Sequence, residues 1–478
     1  GRGVLRPGDG VVVRAGTYRE PVRPEEGGTG PGGRITFAAY PGEAVVVSGA
    51  VPLGGGWVRD GDAWRQPWTY TFTRYDAFGR ELLVADGTLL EAVDDRRDVV
   101  PGTFFVEHAA GGPAALVVRL PDDADPNAAA MEAGMEPSLF WPRASPHTQC
   151  GDAGQPGWLR VVGFTFRHAT NWAQHGAVCV GGEGVVFEEN TVEWTNGLGV
   201  EVAGRGHVLR ANRSLSHGLM GFGARCDGCV FEDNESSYNN WRGYDPFWEA
   251  GGGKWVGSRN TVIRRHLAYD NGGPGIWLDI DNEGLVVEDS RAILNEVAGI
   301  MLELDTRRTI VRNNVVFGTR FVGWSGTGLL SQAAGHNVIA HNTFVANEGT
   351  GLWLRLDPDR RAPDGHNVVY DNLFVANGTA VGGGAAGVEA RGWVSPVDAP
   401  GARVEAVGER EVLDELEREE ADCRHQQPRL RTTPTARRPP PLLVPSPPPG
   451  RSGPRTGRTC PLATDARPRP ARASRPAR

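Results

Sequence analysis

Eight segments of this chain can be written one above another with their features in register. They are VVFEENTVEWTNGLGV (185–200), HVLRANRSLSHGLMGF (207–222), CVFEDNESSYNNWRGY (229–244), TVIRRHLAYDNGGPGI (261–276), LVVEDSRAILNEVAGI (285–300), TIVRNNVVFGT (309–319), NVIAHNTFVANEGTGL (337–352) and NVVYDNLFVANGTA (367–380). Their marker column reads Asn190, Asn212, Asn234, His266, Ser290, Asn314, Asn342 and Asn372, with steps of 22, 22, 32, 24, 24, 28 and 30 residues. A unit of two or three short strands cannot close its own hydrophobic face, whereas stacked units share a continuous core and a ladder of parallel strands. Each step is therefore one coil of a solenoid. Asn side chains at the bends can hydrogen-bond up and down the stack.

Composition fits that reading. Of 478 residues 67 are Gly, about twice the usual share of roughly 7%, which argues against a mostly helical protein. No apolar run approaches the ~18 residues that a membrane-spanning helix needs. The formal net charge of −8 divides unevenly, because residues 423–478 carry 13 Arg, 14 Pro and a single acid, Asp465. The remainder is strongly acidic, which argues against nucleic acid as a partner.

Five parts follow. Residues 1–54 read as N-terminal coils with a truncated start, since Gly1 leads directly into strand-like sequence without Met or a secretion signal. Residues 55–145 break the period and read as an inserted β-rich subdomain, and residues 146–385 form the main solenoid. Residues 386–422 read as the remnant of a C-terminal cap with a short acidic helix, REVLDELEREEAD (410–422). Residues 423–478 read as a disordered Arg/Pro-rich tail, whose residue usage resembles GC-rich coding sequence translated out of frame. The repeat resembles the right-handed parallel β-helix of the pectin-lyase-like superfamily, which implies an all-β fold over roughly residues 155–385 and the opening strands.

Function is expected where the repeat is interrupted or its outer face carries unusual residues. The longest coil contains YDPFWEAGGGKW (244–255), and with it Lys254, the one Lys among 50 basic residues. A lone Lys against a background of Arg marks a place where a planar guanidinium would not serve. The preceding glycines predict a tight, Gly-rich loop. The following strand reads GIWLDID (275–281) and its counterpart one coil on reads GIMLELD (299–305). Strand alternation turns Ile276, Leu278, Ile280, Ile300, Leu302 and Leu304 inward, and Trp277, Asp279, Asp281, Met301, Glu303 and Asp305 outward. Asp279 would then lie beside Glu303 and Asp281 beside Asp305, about 4.8 Å apart. Stacked like charges destabilise a sheet, so a cation or a shared proton is expected among them. Arg225, Gln332 and Arg355 share the column, and Trp248, Trp255, Trp277 and Trp353 would offer aromatic faces to sugar rings.

The segments WEAGGGK (248–254), GIWLD (275–279) and GIMLE (299–303) resemble the catalytic coils of glycoside hydrolase family 120, the β-helical β-xylosidases. The resemblance implies Asp279 as nucleophile, Glu303 as acid/base, and Glu249 and Lys254 as binding residues of the catalytic subsite. It also implies a secreted or periplasmic enzyme acting on an oligosaccharide or polysaccharide without a cofactor. Spacing agrees, because retaining glycosidases hold their two carboxyls about 5–5.5 Å apart. The alternative is a polysaccharide lyase in which Asp279, Asp281, Glu303 and Asp305 bind Ca²⁺, Lys254 is the base, and Arg225 or Arg355 holds a uronate carboxylate. A third reading is a non-catalytic glycan-binding β-helix.

Cys226 and Cys229 form a lone CxxC with no second pair and no His at ligand spacing, so no zinc site is expected. His266 falls in the Asn column and reads as a bend residue. His168, His175 and His217 have no matching ligand set.

Overall fold

A computed structural model of the chain describes residues 5–72, 81–109, 112–143, 149–304, 306–355, 366–383, 389–390 and 395–396. The expected cap helix, the tail and Asp305 lie outside them. Three long sheets of stacked strands build the described solenoid. One has twelve strands, from Gly10–Val13 to Glu389–Ala390; a second also has twelve, from Gly16–Tyr18 to Ser395–Pro396; the third has nine, from Gly176–Glu183 to Thr379–Gly383. From Leu159 to Gly383 each coil donates one strand to each sheet and pairs in parallel with the coils before and after it. Among the described residues the only helical segments are three 3₁₀ turns of three residues each.

The strands are short because each corner must turn, and their alternation decides what lies inside. In the first sheet Val161, Phe187, Leu209, Phe231, Ile263, Val287, Val311 and Ile339 stack rung on rung into the core, all essentially unexposed. The neighbouring outward column alternates in sign: Glu188, Arg210, Glu232, Arg264, Glu288, Arg312. Arg264 and Arg312 reach Glu232 and Glu288 at 2.6 Å. Opposite charges side by side support the ladder where like charges would oppose it.

The marker column is a hydrogen-bonded ladder. The backbone N–H of Asn190, Asn212, Asn314 and Asn342 each donates to the side-chain oxygen of the Asn one coil on, at 2.9–3.1 Å. His266 and Ser290 bridge the middle, with His266 N–H donating to Ser290 Oγ and Ser290 N–H to Asn314. Two further ladders occupy the other corners. Asn239, Asn271 and Asn295 link amide to amide at 2.8 Å, and Thr309, Asn337 and Asn367 link through backbone N–H at 3.0 Å. These ladders thus satisfy backbone N–H groups buried at the bends.

Within the region that breaks the repeat, five strands (Val58–Asp60, Ala63–Pro67, Glu91–Val93, Thr103–Ala109, Gly112–Arg119) form a largely antiparallel sheet. Four more (Ala50–Pro52, Leu83–Ala85, Thr88–Leu89, Met131–Gly134) form a second. Trp57, Trp68, Leu83, Phe104, Leu116, Val118 and Met131 give this region a core of its own. Arg242, in the longest coil, donates to the Glu81 backbone carbonyl at 2.9 Å.

Candidate active site

Lys254 stands on a strand, Gly251–Val256, and the expected Gly-rich loop is absent. The three glycines are instead needed for close packing within the ladder. A Cβ at Gly251, where φ is +115°, would lie 2.2 Å from the Pro274 carbonyl oxygen, and one at Gly252 would lie 2.3 Å from that of Gly275. The strand pairs with Met220–Asp227 on one side and Ile276–Asp279 on the other, with Lys254 opposite Trp277 and Val256 opposite Asp279. Lys254 and Asp279 are therefore diagonal neighbours on the outer face of the nine-stranded sheet.

The ammonium of Lys254 has three N–H donors and meets three acceptors. They are the Trp248 carbonyl at 3.0 Å, Glu249 Oε2 at 2.9 Å and Asp279 Oδ2 at 2.9 Å. It also sits 3.9 Å from the centroid of the Trp277 ring, where the ring quadrupole favours a cation. A planar guanidinium could not reproduce this arrangement. Burial alone would lower the Lys254 pKa, but Glu249 and Asp279 outweigh it and hold the value above the usual 10.5.

Asp279 is 4% exposed and Glu303 is 6% exposed, although both face away from the core. The pairing of Ile276–Leu278 with Ile300–Leu302 puts Glu303 one rung from Asp279, about 4.8 Å along the ladder. Trp277 Nε1 donates to Glu303 Oε2 at 3.2 Å. Asp279 Oδ2 is taken by Lys254, whereas Oδ1 is buried with no hydrogen-bond partner. One carboxylate is thus held by an ammonium and the other by an indole N–H.

What shields these outward groups is a pair of loops at one corner. The chain between Asn239 and Gly251 and that between Gly318 and Gly326 both enlarge the corner before the nine-stranded sheet, three coils apart from each other. Phe247 stacks on Trp324 at 4.9 Å and 21°. Trp324 sits on a two-residue turn closed by Val322 and Ser325, where Gly323 takes φ +63° and a Cβ would fall 2.7 Å from the Phe247 ring. Arg355 lies 4.6 Å over the Trp324 ring. Beneath this strap Trp277, Val297, Ala298, Met301 and Leu330 pack with Phe247, Val322 and Trp353.

The expected site residues divide accordingly. Lys254, Glu249, Asp279 and Glu303 come together, and Trp248, 47% exposed, borders them through its carbonyl. Gln332 is the next residue in the Glu303 column and Arg355 the one after, with Arg355 Nη1 donating to Gln332 Oε1 at 3.0 Å. Arg225 is exposed and lies on the far side of Val256 from Asp279. Trp255 is corrected: it points into the core, fully buried against Phe231, and cannot touch a substrate. Trp277 faces outward, but the strap leaves it 1% exposed, so it serves the site through its ring face and N–H rather than as an open platform. Trp353 is half-buried against Trp324.

Asp281 does not continue the column, because the strand ends at Asp279 and both Ile280 and Asp281 adopt left-handed backbone conformations in the bend. Ile280 is consequently 43% exposed rather than inward, and Leu304 turns in the same way. Phe247 and Trp324 were not anticipated. Phe247 lies in the 32-residue coil that also holds Lys254, and the 28-residue step between Asn314 and Asn342 is the signal for Trp324.

Among the described residues, the one group of three or more possible metal ligands within reach of one another lies elsewhere, at His207, Cys226 and Cys229. The cysteines there are joined to each other, and His207 Nδ1 accepts from Val185 N–H while Nε2 faces the Ala203 carbonyl. The neighbouring coil does bring a His to the CxxC, but as a packed side chain. Buried His168, His217 and His266 have pKa values pushed down to about 3 by desolvation.

Comparison with known proteins bears on the fold. A family model described as the right-handed β-helix region matches residues 175–344. No curated protein matches. The solved structure of XylC with xylose is similar at a TM-score of 0.54 and 15% identity, over 77% of this chain and 81% of that one. The A-module of the mannuronan C-5 epimerase AlgE6 from Azotobacter vinelandii overlays at a TM-score of 0.37 and 16% identity, over 81% of this chain and 88% of that one. With its parallel ladders, Asn bends and common core, the chain is a right-handed parallel β-helix protein.

Proposed function

We propose that this protein is a retaining glycoside hydrolase, with Asp279 as nucleophile, Glu303 as acid/base, and Lys254 and Glu249 lining the catalytic subsite. The observation that carries the reading is the asymmetry of the two carboxylates. Lys254 fixes Asp279 by Oδ2 and leaves Oδ1 buried and unpartnered, so one oxygen is oriented and the other carries no competing hydrogen bond. Adjacent rungs lie about 4.8 Å apart, near the carboxyl separation of about 5–5.5 Å of a double displacement, where an inverting enzyme needs room for a water. In the first step Asp279 Oδ1 bonds to the anomeric carbon, the glycosidic C–O bond breaks, and the departing oxygen takes the proton of Glu303. In the second, Glu303 takes a proton from water, the water oxygen bonds to the anomeric carbon, and Asp279 is released. That XylC binds xylose on a similar fold supports a sugar ligand.

Lyase chemistry fits less well. Its base would have to be a Lys whose pKa is raised rather than lowered, and the place beside Asp279 where Ca²⁺ would bind is taken by the Lys254 ammonium. Asp281 lies in the bend beyond the end of the strand. The test is a panel of aryl glycosides and uronide polymers assayed with wild type, Asp279→Asn and Glu303→Gln. Aryl glycoside cleavage with retained anomeric configuration, lost in both variants, supports the proposal; an unsaturated, ultraviolet-absorbing product lost on chelation replaces it with the lyase. Full glycan binding without turnover in any variant leaves a binding protein.

A further inference from the structure

We propose, on the hydrolase reading above, that the substrate lies along the solenoid axis with its leaving group toward the C-terminal coils, and that Gln332 and Arg355, the latter positioned by Trp324, form the leaving-group subsite. The direction follows from the displacement itself. Attack requires the nucleophile oxygen, the anomeric carbon and the departing oxygen to be nearly in line, with the acid beside the departing oxygen. Asp279 and Glu303 occupy successive rungs of one outward column, so the vector from nucleophile to acid runs along the axis toward higher residue numbers. The glycon then sits over Lys254, Glu249 and Asp279, and the ring that leaves with the proton of Glu303 sits beyond Glu303.

The column beyond Glu303 is built for such a ring. Gln332 follows one rung on and Arg355 two rungs on, reaching about 4.8 and 9.6 Å past Glu303, the span of one pyranose. Toward the N-terminal coils the same column offers Val256 and an exposed Arg225, with no comparable polar run. Arg355 makes no ion pair with any described residue. It is held by Gln332 Oε1 at 3.0 Å, by the Trp324 ring at 4.6 Å and by the Trp353 ring at 5.9 Å. Among the described residues the clamp is aromatic and not anionic, which fixes the guanidinium without neutralising it and leaves N–H donors for sugar oxygens. Trp324 is itself 39% exposed beside Arg355, an apolar edge against which a ring can pack.

The experiment compares two substrates with the same glycon: the aryl glycoside that wild type cleaves, and the corresponding disaccharide, whose second ring must occupy this subsite. Arg355→Ala and Trp324→Ala are expected to lower kcat/KM on the disaccharide about ten-fold or more beyond any loss on the aryl glycoside, as the loss of a charge-assisted hydrogen bond implies. Trp324→Phe should restore most of that difference, because a ring face remains for Arg355. Equal losses on both substrates in a folded variant would overturn the assignment. So that misfolding cannot hide the answer, the Asp279→Asn protein is also crystallised with the disaccharide. A reducing-end ring over Gln332 and Arg355 supports the polarity, and one over Val256 and Arg225 overturns it. Undiminished aryl glycoside cleavage by Asp279→Asn would remove the hydrolase reading itself, a result distinct from either.

Discussion

Lys254→Met removes the charge at the centre of the site while keeping most of the side-chain volume. Lys254, Glu249 and Asp279 have side-chain exposures of 6%, 14% and 5%, so water cannot replace the ammonium. Breaking a buried ion pair costs about 3–5 kcal/mol, chiefly because the abandoned charge stays buried. Two carboxylates are abandoned here, and a loss of about 4 kcal/mol is expected at neutral pH. Lys254→Arg keeps the charge but cannot meet three acceptors around one nitrogen, and should cost about 1–3 kcal/mol through overpacking. The pH dependence has a definite sign. Because the folded pKa of Lys254 is raised above 10.5, its contribution is fully present below the unfolded pKa of about 10.4 and is lost as pH rises through the folded value. Urea unfolding followed by Trp fluorescence should show a wild-type advantage that is steady from about pH 7 to 9 and shrinks above about pH 10.4. A Lys254→Met protein within about 1 kcal/mol of wild type at neutral pH, with more than a tenth of its kcat/KM, would refute the reasoning.

Three further outcomes can be measured on the fold. In the alternating outer column, Glu232→Arg sets like charges against Arg210 and Arg264 and should lower stability by about 1–2 kcal/mol in low salt, less at high salt, where Glu232→Gln should cost less than half as much. His168, His217 and His266 are buried with pKa values near 3, so the unfolded chain binds more protons below its His pKa of about 6.5. Stability should therefore fall as pH drops from about 6.5 toward 3, by roughly 1.4 kcal/mol per unit for each His, and His217→Asn should flatten the slope by about one proton. Cys150 and Cys179 are joined across 29 residues, and opening that link with the double Ser variant should cost about 3–4 kcal/mol by the loop-closure estimate, read as a lower urea midpoint.

The fold was legible because a solenoid repeats its instructions. One Asn per coil at a fixed offset from an apolar strand gives the rung, the direction and the bend, and the ladder from Asn190 to Asn372 uses those residues as the repeat implies. The other ladders are harder to read because their residue types change from coil to coil: the one through Asn239 starts at His217, and a separate column beside the Thr309 ladder runs Ser258, Asn282 and Thr306. At the site, alternation correctly turned Trp277, Asp279, Met301 and Glu303 outward. It failed one residue later, at Ile280, because nothing local announces that a β-branched residue will take a left-handed conformation. Outward was also equated with exposed. Trp277 and Met301 are outward and buried, since two corner loops close over them; that contact depends on side chains more than 70 residues apart, beyond the reach of any periodicity.

The stacked acids on the outer face raised a question of charge that the strand geometry answers unevenly. Lys254 lies one rung before Asp279 and two residues earlier along the strand, so its ammonium reaches the first carboxylate. The second is met by the Trp277 N–H, which comes from the same rung as Asp279. A mechanism with two carboxyls needs that inequality, because one must attack while the other delivers a proton. Trp277→Phe tests it, removing the N–H while keeping a ring face under Lys254. If the indole positions Glu303 for proton transfer, the loss in kcat/KM should grow with the basicity of the leaving group, by about ten-fold between a nitrophenol and an alkyl alcohol, since only poor leaving groups need the proton early. The pH profile should shift on its alkaline side, where the acid is titrated. Equal losses across the leaving-group series, with an unmoved profile, would mean that Trp277 only fills space beneath the strap and that Glu303 owes its orientation to other neighbours.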